Sequence, residues 1–122
     1  GALALGQYKQ YFDKYGYEMH FIVNTKRPLT RTNDELIEIA ERIESASRLK
    51  FTDIYNNTNL SDQTDETTLF SGYDEIKMLS KKMGIVIKKN CGIDKALSNV
   101  PTNLKDTVFR MNICILRPWE IQ

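Results

Sequence analysis

The chain has 122 residues, 41% hydrophobic and 27% charged, which is the balance of one soluble folded domain and excludes a disordered chain. Seventeen Lys and Arg against sixteen Asp and Glu leave a net charge of +1, so there is no general attraction to nucleic acid or anionic lipid. Two cysteines, Cys91 and Cys114, and a single histidine, His20, indicate neither a disulfide framework nor a zinc site and exclude multi-histidine metal sites.

Leu5, Tyr8, Phe12 and Tyr15 recur at three- and four-residue spacing before Gly16, so residues 3–15 read as an amphipathic helix. "MHFIVN", residues 19–24, reads as a buried strand, and His20 within it reads as a structural histidine in preference to a catalytic base. Pro28 breaks regular structure, and Thr32 with Glu35 forms a capping box for a helix that carries Leu36, Ile39, Ala40, Ile43 and Ser47 on one face. "LKFTDIYN", residues 49–56, is a second strand. A polar loop follows, then a helix marked by Tyr73, Ile76, Leu79, Ser80 and Met83 and stopped by Gly84. "GIVIKK" is a third strand. Beyond Pro101, "TVFRMNICILRPW" alternates Met111, Ile113 and Ile115 on one face and reads as a fourth strand, with a helical segment as the alternative.

Helices between short apolar strands describe repeated β-α-β units. They predict an α/β fold of three layers, a mostly parallel sheet with helices on both faces. Ligands of such sheets bind beyond the carboxyl ends of the strands, where Asn24, Asn56-Asn57 and Lys88-Lys89-Asn90 are expected.

An asparagine at a strand end offers an amide donor and acceptor together, which match adenine N6 and N7. Asparagine also closes turns by bonding its own backbone; both readings of Asn57 stand on spacing alone. Asp62, Asp65 and Glu66 lack the pattern of a calcium loop and read as a solvated loop. Lys81-Lys82 and Lys88-Lys89 could touch phosphate, although cations also suit a helix end. Cys91 beside Asn90 could be exposed, but no base lies near it in sequence. Trp119 reads as an anchor for the tail. The sequons at Asn56 and Asn59 are expected to be chance matches, since no secretory signal is visible in these residues. No window approaches the roughly 20 apolar residues of a membrane span, and a reducing, cytoplasmic location is expected.

Three stretches, "GALALGQYKQYF", "FIVNTKRPLTRTNDELIEIAERIESASRLKFTDIYNNTNLSDQT" and "LRPWE", together resemble the C-terminal half of a ParA/MinD-like P-loop ATPase, the deviant Walker-motif group with CobQ/CobB relatives. The resemblance implies a partial P-loop NTPase, Rossmann-like fold in which a strand ends on the asparagine that contacts adenine. That residue is Asn57, or Asn56 if the register differs by one. It also implies ATP and Mg as cofactors of the intact protein and ATP-driven dimerisation. The G-x-x-x-x-G-K-[ST] loop that cradles phosphates does not occur in these residues, and the Walker B aspartate of the family would lie upstream of Gly1.

Residues 1–122 are therefore expected to be one α/β domain, the C-terminal portion of a larger nucleotide-binding domain, whose partner is the missing N-terminal half. The chain alone is expected to have no catalytic or metal-binding residues, to bind no cofactor tightly, not to hydrolyse ATP, and to form a homo-oligomer. The alternative is a stand-alone, non-enzymatic α/β interaction module that has lost its nucleotide.

Overall fold

The computed structural model describes residues 2–60 and 63–110. In chain order the elements are α1 (Ala2–Gly6), α2 (Lys9–Tyr15), β1 (His20–Val23), α3 (Asn33–Ser47), β2 (Asp53–Asn56), α4 (Tyr73–Met83), β3 (Val86–Gly92), a 3-10 helix (Thr102–Thr107) and β4 (Val108–Arg110). All the strand pairings are parallel and the sheet runs in the order β1-β2-β3-β4. The α/β character expected from the sequence is present.

Local signals set the long helices. The Thr32 hydroxyl accepts from the Glu35 amide at 3.3 Å while the Glu35 carboxylate accepts from the Thr32 amide at 3.2 Å, which satisfies two of the amides a helix start leaves unpaired. Leu36, Ala40 and Ser47 are buried along α3. Gly84 ends α4 with φ of 70°, in the left-handed region that glycine enters without steric penalty.

The strand order explains where these helices lie. Each β-α-β crossover is right-handed as a rule, so a sheet that steps one way puts successive crossover helices on one face. Accordingly α3 and α4 share a single core with Phe21, Val23 and Ile54 from the sheet, to which they contribute Leu36, Ala40, Ile76 and Leu79. Phe51, just before β2, stacks on Phe21 with ring centroids 4.7 Å apart. Full burial of one such side chain stabilises the fold by roughly 1.5–3 kcal/mol.

Alternation then sends His20, Ile22, Asp53 and Tyr55 to the opposite face. Ile22 is 62% exposed, Val86 65% and Phe109 53%. This face carries exposed apolar side chains at three of the four strands.

Some expectations need correction. Residues 3–15 form two short helices, interrupted at Gln7 and Tyr8, and not one. Gly6 packs its Cα against the end of α3, where an added Cβ would meet the Ala46 carbonyl at 3.2 Å, and its own carbonyl accepts from the Arg48 guanidinium at 2.5 Å. That anchorage turns α1 toward α3 and leaves Tyr8, Tyr11 and Tyr15 exposed, so the periodic aromatic face is not a core face. Lys88 and Lys89 lie within β3, not beyond its end. Cys91 is also in β3 and buried, 5% exposed, not an accessible thiol. Of the expected fourth strand, Val108–Arg110 is a strand; the alternating Met111, Ile113 and Ile115 on which the expectation rested, and Cys114, Trp119 and Asp62, lie outside the described residues. Among the described residues no helix is long and apolar enough to cross a membrane.

Candidate functional site

The carboxyl ends of β1, β2 and β3 meet in a cluster of amide and hydroxyl side chains. Asn56 and Asn90 are register partners and neither is exposed. The Asn56 Nδ2 donates to the Leu69 carbonyl and to Asn90 Oδ1, both at 3.0 Å, and its Oδ1 accepts from the Thr58 amide at 3.2 Å. Both of its donor hydrogens are thus occupied. Asn90 Nδ2 continues the chain to Thr107 Oγ1 at 2.7 Å, tying β3 to the 3-10 helix. The buried pair is structural, since an amide so engaged has no donor left for a ligand.

Asn57 is different. Its backbone amide donates to the Val23 carbonyl at 2.8 Å, prolonging the β1–β2 ladder, and its carbonyl accepts from Asn59 Nδ2 at 2.8 Å. Its half-buried side chain hydrogen-bonds to none of the described residues. Of the two sequence candidates, the structure therefore leaves the amide of Asn57 available and commits that of Asn56.

The loop after β2 is stitched to the end of β1. Asn24 Oδ1 accepts from the Lys26 amide at 2.9 Å and the Asn59 amide at 3.2 Å, and its Nδ2 donates to the Asn59 carbonyl at 3.3 Å. Thr25 and Thr58 share a hydroxyl contact of 3.2 Å. A cleft of about 530 Å³ opens here, lined by Thr25, Lys26, Arg31, Leu60, Ser71 and Glu75 among others. At its wall Gly72, just before α4, sits so close to Thr25 that a Cβ would lie 2.3 Å from the Thr25 Oγ1. Lys26 and Arg31 have no ion pair among the described residues, so the cleft offers cationic groups to an anion. The strand order shows no reversal within β1–β4; the polar strand ends, and not a switch point, mark this side.

The remaining candidates resolve into structural roles. Asp65 accepts from the amide and hydroxyl of Thr67 and the hydroxyl of Thr68, and these bonds, the Thr67 hydroxyl's first, hold its carboxyl below the usual range. It closes its own loop. Among the described residues no group of three His, Cys, Asp or Glu could hold a metal ion. Burial pushes the Cys91 thiol up, with Lys89 opposing weakly, and burial likewise pushes up the Tyr73 phenol against the Asn90 side chain.

Sequence reading missed one arrangement altogether. His20 and Asp53, register partners on β1 and β2, approach to 2.5 Å between Nδ1 and Oδ1, and the imidazole stacks on Tyr55 with centroids 4.4 Å apart. The residues are 33 positions apart, so only strand pairing reveals the contact.

Comparison with known protein families, with characterised proteins and with solved structures finds no match to this chain.

Proposed function

We propose that this chain is the base-recognition part of a nucleotide-binding α/β domain of the ParA/MinD-like kind, with Asn57 reading adenine. The observation that carries the reading is the half-buried, uncommitted amide of Asn57 at the carboxyl end of β2, beside an Asn56 whose donors are spent. An adenine edge supplies the donor and acceptor that this amide lacks. In this reading residues 84–101 lie over the base, Lys26 and Arg31 face the anionic part of the nucleotide, and a further helical layer covers the face of Ile22 and Val86 to complete three layers. The phosphate chemistry, with ATP and Mg, belongs to a loop that these 122 residues do not contain, and the chain alone turns over no ATP.

A titration of isotope-labelled protein with AMP and with GMP tests it by NMR. The Asn57 side-chain amide resonances shift with AMP and little with GMP; equal shifts, or none, would contradict the proposal. A second reading, a stand-alone interaction module, draws on the exposed Ile22, Val86 and Phe109, because apolar side chains exposed together on one face suit a partner surface.

A further inference from the structure

The face of the sheet opposite α3 and α4 holds a second group of reactive side chains, at the amino ends of β1 and β2 and so at the other end of the strands from Asn57. Asp53 is its fixed point. Its side chain is 6% exposed against 30% for that of His20. Its Oδ1 meets His20 Nδ1, and its Oδ2 accepts from Thr52 Oγ1 at 3.1 Å. A carboxylate so placed orients the ring through Nδ1 and turns Nε2 away from Asp53. Stacking on Tyr55 fixes the ring plane. No hydrogen bond to the described residues occupies Nε2.

The lysines of β3 are gathered on the same side. Tyr55 is paired with Lys89, while its predecessor Ile54 is paired with Ile87, so Lys88 is an extra residue in a bulge. A bulge re-aims the side chains around it. Lys88 pairs with Glu18 at 2.9 Å, and its ammonium is held protonated first by that bond and then by the charges of Glu18, Asp53 and Tyr55. Lys89 has no ion pair among the described residues. Asp53 and Tyr55 of β2 contact the His20 ring, and Lys88, Lys89 and Glu18 are the charged groups that lie beyond them on this side of the sheet.

We propose that His20 is a phosphoryl-accepting nucleophile, positioned by Asp53, with Lys88 and Lys89 on the same side of the sheet to attract the anionic oxygens of a small acyl phosphate. The Nε2 lone pair attacks phosphorus and forms the N–P bond. The P–O bond to the acyl group breaks and the carboxylate departs with that electron pair. The Nδ1 proton stays on the ring, shared with Asp53, which balances the positive charge that the imidazole acquires. The site uses no residue of the adenine reading, and His20 is reached in this chain by itself, with no further helical layer over its face among the described residues.

Acetyl phosphate is the probe. Incubated with the full chain and mapped by mass spectrometry without acid, it adds one phosphoryl group at His20, and the label is lost in mild acid. The native chain labels faster than the same chain unfolded in urea, by about a hundredfold, the lower end of what a positioned acid–base group contributes. Lys89→Gln slows labelling several-fold and Asp53→Asn slows it further. Labelling of native and unfolded chains at one rate, or absence of His20 label, overturns the proposal without reliance on any variant's folding.

Discussion

Asn56 and Asn90 face each other across β2 and β3 with a 3.0 Å hydrogen bond between side chains that solvent does not reach. The pair divides the polar strand ends into a buried part that builds the loops and an accessible part, Asn57, that does not.

Removing the buried part should cost stability. Asn56→Ala strands the Leu69 carbonyl, Asn90 Oδ1 and the Thr58 amide, and an unsatisfied buried polar group costs about 1–3 kcal/mol. Asn57→Ala, which removes no side-chain bond to the described residues, should stay within about 0.5 kcal/mol of the parent. Urea unfolding monitored by circular dichroism compares them; equal losses would mean that Asn57 is structural too.

Cys91 offers a pH signature. Burial pushes its thiol above the ordinary cysteine range, so the unfolded chain loses this proton first as pH rises. In that window the folded state binds more protons, and stability falls with rising pH. Cys91→Ala should flatten the decline in unfolding midpoint above about pH 8.5, where a free cysteine titrates. In a Cys114→Ser background, the native thiol should also react with a disulfide reagent far more slowly than the urea-unfolded chain; rapid native reaction would show an accessible Cys91.

How much of this was legible in the sequence depends on the range of each interaction. The Thr32–Glu35 box and the Gly84 stop are encoded within a few residues and appear where expected. Strand existence was legible too, because β1, β2 and β3 carry short apolar runs. Strand order was not, and with it went the placement of α3 and α4 on one face. The Leu5, Tyr8, Phe12 and Tyr15 periodicity misled, with Leu5, Tyr8 and Tyr15 exposed, because nothing local shows that Gly6 and Arg48 anchor α1 elsewhere. At the candidate site, the Asn-Asn doublet could be seen, but choosing between its members required Leu69, Asn90 and Thr58. The His20–Asp53 contact depends on register alone.

Self-association is expected as well. β1 has a partner on only one side among the described residues, and Ile22 on it is 62% exposed; a strand edge with unpaired amides beside apolar side chains readily takes up another chain. A net charge of +1 provides little opposing repulsion. Light scattering over a tenfold concentration range should report a dimer or larger species. Ile22→Lys should move it toward the monomer, whereas a 14.1 kDa species at every concentration for the parent chain would argue that neither the edge nor the face is used.

The most direct measurement of the central claim is the affinity of AMP for the parent chain and for Asn57→Ala, followed by NMR alongside GMP. Loss of the base-edge hydrogen bonds should weaken AMP binding by about 1–3 kcal/mol while leaving GMP binding and the fold as they were. Unchanged AMP affinity in a folded Asn57→Ala protein would contradict adenine recognition by Asn57.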